Sequence, residues 1–60
     1  MEQLIDHVRA LVASGLSMRE VARRAGCGFA TVQRIHAGSV DNVTLATYRA
    51  LMGVVANARP

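Results

Sequence analysis

The sequence predicts an all-α fold: a compact domain of four helices, or five at most, filling residues 1–60. Three observations lead there. Apolar residues recur at three- and four-residue spacing, the period of a helix and not the alternation of a strand. Glycines at positions 15, 26 and 38 interrupt that pattern at intervals suited to short helices. Finally, 52% of the residues are hydrophobic but only one is Tyr and one Phe, so the core must be Leu, Val, Ile and Ala.

Leu4, Ile5, Val8, Leu11 and Val12 mark a first helix over about residues 2–14. Glu2 and Asp6 sit near its start, where the helix dipole favours acids, and Gly15 stops it. Ser17 and Glu20 make a Ser-x-x-Glu capping box that opens a second helix. Met18, Val21, Ala22 and Ala25 form its inner face, with Arg19, Arg23 and Arg24 directed outward. Gly26 ends it, at a positive backbone angle that strains a residue with a β-carbon. Gly26-Cys27-Gly28 leaves length only for a sharp turn before a third helix, Phe29 to Ala37, whose buried side is Val32 and Ile35. Gly38 stops that helix. Asp41 or Asn42 caps a fourth, from about Val43 to Asn57, with Leu45, Tyr48, Leu51, Met52 and Val55 as its apolar stripe. Val54 falls off the stripe and is expected at the surface.

A chain of this size buries only about 60% of its unfolded surface, so folding is marginal without help. One cysteine, Cys27, excludes an internal disulfide, and His7, Cys27 and His36 are too scattered for a zinc site. Self-association is the aid that remains. Cys27 reads as a packing residue, Tyr48 as core with its hydroxyl outward, and His7 and His36 as surface or edge residues. The start, Met1-Glu2-Gln3, lacks the basic character of a signal peptide, and no apolar run approaches the ~20 residues of a membrane span. A free thiol suits a reducing interior, so a cytoplasmic location is expected.

The net charge of +3 is unevenly placed. Residues 17–38 hold four of the seven Arg against one Glu, whereas residues 1–16 hold one Arg against two acids. The positive charge therefore lies on the second and third helices, as on a surface that meets a polyanion. A solvated basic face is the bland alternative. The absence of Lys has one too, namely codon bias.

The stretch SMREVARRAGCGFATVQRIHAG, Ser17 to Gly38, fits the demands of a helix-turn-helix. Where two helices cross closely at a steep angle, only a small side chain fits, and Ala22 supplies it. A turn glycine follows four residues later at Gly26. Val32 and Ile35 anchor the second helix from its inner face.

On these residues the chain resembles the Cro/C1 family, the lambda-repressor-like or XRE-type helix-turn-helix proteins of phages and bacteria. The likeness spans about residues 4–56 and includes Leu16-Ser17, Val21-Ala22, Gly26, Val32, Ile35, Gly38 and the later Leu45, Tyr48 and Leu51. It departs from the family pattern at Met18, where Gln is common, at Gly28, where Ser or Thr opens the recognition helix, and at His36, where an acid often stands. The resemblance implies sequence-specific binding of double-stranded DNA by a symmetric homodimer on a palindromic operator. The function expected is a small transcriptional regulator, a repressor acting by occupancy, in a bacterium or phage-infected cell. The DNA-binding modules of recombinases and transposases share part of the pattern but usually end soon after the recognition helix.

Carried over, base reading falls to Phe29, Ala30, Gln33 and Arg34. Arg34 suits guanine, Gln33 adenine, and Phe29 a thymine methyl. Phe29 reads equally well as partial core. Phosphate contacts fall to Arg19, Arg23, Thr31 and the amide at Gly28, which lies at a helix N-terminus. Met52, Val54 and Val55 are the expected dimer interface. No cofactor, metal, membrane or small-molecule ligand is implied, and no catalytic set of side chains is present. The competing function is a protein-binding adaptor, such as an antitoxin or an inhibitor of a DNA-binding protein, working through the apolar end of the fourth helix.

Overall fold

In the computed structural model, residues 2–41 and 43–55 are described, and within them the chain forms four helices and no strand. These are α1 (Glu2–Ala13), α2 (Met18–Ala25), α3 (Phe29–Ala37) and α4 (Leu45–Met52). The first three match the bounds expected from apolar spacing and glycine stops.

One core joins them. Leu4, Val8 and Leu11 of α1, Val21 and Ala22 of α2, Val32 and Ile35 of α3, and Leu51 of α4 are all buried. Each fully buried aliphatic side chain contributes about 1.5–3 kcal/mol relative to exposure, so these few residues carry most of the folding drive. Leu16, Met18, Ala25, Cys27 and Tyr48 pack half-buried around them. α3 packs on both α1 and α2, and α4 closes the same two helices from another side.

The α2–α3 turn is fixed by backbone chemistry. Ser17 Oγ accepts from the Glu20 amide at 3.0 Å, capping α2. The reciprocal half of the capping box is not made, because the Glu20 carboxylate turns to Arg23 and Arg24. At the other end Gly26 adopts φ +73°, the left-handed conformation. The Cys27 amide reaches back to the Ala22 carbonyl at 3.1 Å and the Gly26 amide to that of Arg23 at 3.3 Å. This crossed pair of bonds satisfies carbonyls that the helix end would leave open. A corresponding pair, Ser39 to Arg34 and Gly38 to Ile35, closes α3. Gly28 then opens α3 in extended geometry and offers no side-chain cap.

The last helix differs from expectation. It is capped by Thr44, whose hydroxyl accepts from the Thr47 amide at 3.1 Å, and not by Asp41; Asn42 lies outside the described residues. It ends at Met52, well short of the expected Asn57, which also lies outside them. Leu45, the first helical residue, projects from the end and is 62% exposed, so it does not join the apolar stripe. Beyond Gly53 the Val54 amide bonds to the Leu51 carbonyl at 3.1 Å and the chain leaves the helical path. Val54 thereby turns inward and is only 6% exposed, while Val55 is 57% exposed. The expectation that Val54 lies at the surface, and the dimer-interface role built on it, are corrected here. Helical projection fails past a helix end, and the core takes whichever valine the turn delivers. His7 is more than an edge residue: its Nε2 donates to the Val54 carbonyl at 2.9 Å, tying this segment to α1.

The two turn glycines should respond oppositely to substitution. A β-carbon at Gly26 meets no atom within 4 Å, so Gly26→Ala isolates the cost of the left-handed backbone. It should lower stability by about 1–2 kcal/mol. Gly28→Ser keeps an ordinary backbone, supplies the missing cap and should raise stability by about 0.5–1 kcal/mol. Urea unfolding of both variants checks the pair; equal signs would contradict this account of the turn.

Candidate nucleic-acid interface

Burying Val32 and Ile35 decides what α3 presents. At about 100° per residue, the direction opposite those two anchors is occupied by Ala30 and Ala37, flanked by Gln33 on one side and Arg34 on the other. All four are exposed. The centre of the face is thus made of small side chains, with a long amide and a long guanidinium on its flanks. Thr31 is half-buried on the Arg34 flank. It shares with Arg34, Ile35, Ser39, Asp41 and Val43 an open groove of about 350 Å³.

At the start of α3 the Phe29 ring remains 36% exposed, so it is not swallowed by the core. The guanidinium carbon of Arg19, from the first turn of α2, sits 5.1 Å from its centroid, within cation–π range. The structure therefore brings Arg19 and Phe29 together, and separately Arg34 and Thr31. Gln33 and Ala30 lie between those two pairs on the helix surface.

The remaining cations divide by what holds them. Arg23 and Arg24 both bond the Glu20 carboxylate, Arg24 through Nε at 2.8 Å. These bonds, Arg23 first, hold the Glu20 carboxyl at a pKa of about 2, below the ordinary carboxylate range. The Arg23 guanidinium is correspondingly raised by the same partner. Arg23 still exposes 73% of its side chain and stays available to a second anion. Arg24 is committed further, donating to the Val55 carbonyl at 3.5 Å and so linking α2 to the segment after α4. Arg9 donates from Nε to the His36 carbonyl at 2.9 Å, placing a cation at the C-terminal end of α3 where the helix dipole welcomes it. Among the described residues, Arg19 and Arg34 have no carboxylate within ion-pair distance.

Sequence reasoning missed the holding roles of Arg9, His7 and Arg24. No local pattern announces them, since each joins residues between 27 and 47 positions apart. Thr44 was legible as a cap in Val-Thr-Leu, directly before the true first helical residue. Of the expected dimer contacts, Met52 is half-buried and Val55 exposed, leaving Val54 as the one withdrawn. Cys27 is partly buried, and burial pushes its thiol above the ordinary value, as for a packing residue and not a reactive one. No group of three or more His, Cys, Asp or Glu able to hold a metal occurs among the described residues. None of the described helices is long and apolar enough to cross a membrane.

Compared with protein-family models, with curated proteins and with solved structures, the chain matches none.

The Glu20 triad gives a pH signature. A carboxyl held below its unfolded value stabilises the fold above about pH 4.5, and that contribution fades as pH falls toward 2. Because the group is exposed, the effect is small. Thermal midpoints measured from pH 6 to pH 2 should drop more for the native chain than for Glu20→Gln. Parallel curves would remove the triad from the stability of α2.

Proposed function

We propose that this chain binds double-stranded DNA in a sequence-dependent way, inserting the outer face of α3 into the major groove. The most direct biological use is a small transcriptional regulator that represses by occupying an operator. The observation that carries the reading is the division of α3. Val32 and Ile35 are consumed by the core, while Gln33 and Arg34 stand exposed on the flanks of a face of small side chains. At the start of the helix Arg19 rests over Phe29 with, among the described residues, no carboxylate within ion-pair distance. Small residues at the centre let the helix approach the floor of a groove, and the long flanking side chains reach base edges. The resemblance to the Cro/C1 pattern at Ala22, Gly26, Val32 and Ile35 points the same way.

In this reading Arg34 pairs with guanine O6 and N7, and Gln33 with adenine N6 and N7. Arg19, Arg23, Thr31 and the amide at Gly28 hold phosphates and set the register without carrying sequence. Two copies on a palindromic site would place recognition helices one DNA turn apart, ~34 Å. With Val54 withdrawn into the core, Met52 and Val55 are the residues left to join them.

Binding to random duplex should weaken steeply between 50 and 200 mM salt, as phosphate contacts require. Arg34→Ala should cost about 1–3 kcal/mol on a duplex recovered by selection and relax the preference at one base pair. Arg19→Ala should weaken selected and random duplexes alike. Fluorescence anisotropy on both duplexes separates the outcomes. Binding that is absent or flat with salt would refute DNA recognition and favour the protein-binding adaptor.

A further inference from the structure

Arg19 differs from the other described arginines in what holds it. Arg23 and Arg24 are tied to Glu20, Arg9 is bonded to a helix-end carbonyl, Arg34 lies in the groove with Asp41, and Arg49 lies exposed on α4. Arg19 is held by an aromatic ring, 5.1 Å from guanidinium carbon to centroid. The pairing joins the first turn of α2 to the first residue of α3. It also explains why the chain's one phenylalanine stays at the surface instead of filling the core.

We propose that Phe29 is a positioning residue, whose ring fixes Arg19 as a contact for a DNA phosphate, and that it does not itself read a base. This rests on the DNA-binding reading above. The chemistry of the guanidinium makes the two contacts compatible. A ring attracts the cation through its π face, while the N–H donors lie in the guanidinium plane and remain free for phosphate oxygens. A lone exposed arginine loses its rotamer freedom when it binds. One already resting on a ring has lost part of it beforehand, a saving of about two- to tenfold in affinity.

The consequence is a pattern that a base reader would not give. Phe29→Leu keeps apolar bulk and removes the ring. It should weaken selected and random duplexes equally, by about two- to tenfold, and Phe29→Tyr should restore the native affinity. In the Arg19→Ala background, Phe29→Leu should cost nothing further, because the group it positions is gone. Without DNA, the Arg19 δ-methylene protons should lie upfield of an ordinary arginine and return in Phe29→Leu, with unchanged helical circular dichroism as the folding control. Losses confined to the selected duplex would make Phe29 a base reader and overturn the proposal. So would additive losses in the double variant, or Arg19 protons at ordinary shifts. A native chain that binds neither duplex, with the Arg19 shift intact, would instead remove the DNA reading beneath it, and the proposal with it.

Discussion

Val32 and Ile35 are fully buried against the inner residues of α1 and α2, and the rest of the molecule is arranged around that burial. Two aliphatic side chains three positions apart are enough to fix the rotation of a nine-residue helix, because any other rotation would bring exposed groups into the core and leave these two in water. That rotation selects which side chains α3 offers outward. Ala22 serves the same constraint from the other side: it is buried in a cluster where the two helices pack, and a larger side chain there would force them apart. Gly26 sets the direction in which α3 leaves the turn. The sequence therefore orients α3 with residues that have no polar chemistry of their own.

A small core needs its ends tied, and three long side chains do it. His7 holds the carbonyl of Val54, Arg24 that of Val55, and Arg9 that of His36. Two of the three secure the segment after α4, where the chain leaves its helix and sends Val54 back into the core. Each is a side chain meeting a backbone carbonyl, the kind of contact that closes a helix end or loop where a short chain lacks apolar area. Arg9 and Arg24 are thus occupied structurally, which leaves Arg19 and Arg34 as the cations beside the outer face of α3 that, among the described residues, have no carboxylate within ion-pair distance.

The parts legible in the sequence are those whose physics is local. Apolar spacing marked α1, α2 and α3; Ser17 announced a cap; glycines 15, 26 and 38 announced stops, and all three adopt positive φ. The outward placement of Gln33 and Arg34 followed from the two anchors. The failures lie where locality ends. The stripe drawn through Leu45 and Val55 assumed one long helix, whereas Thr44 starts α4 late and the turn at Gly53 ends it early. Once the helix stops, residue spacing says nothing about direction, so Val54 and Val55 exchanged the positions that spacing assigned them. Arg24 could not be told from Arg23 by sequence, since both follow Glu20 at helical distance and only the fold carries one of them to Val55. The Arg19–Phe29 contact depends on how the turn brings two helix starts together, and no spacing rule contains it.

The most direct test is to map, residue by residue, where a DNA duplex touches the folded chain. Titrating duplex at low salt into labelled protein and following amide shifts should perturb Phe29, Ala30, Gln33 and Arg34 together with Arg19, leaving the buried side of α4 at Tyr48 and Leu51 unmoved. Perturbation centred on α4 and Val55, with the outer face of α3 silent, would contradict the account.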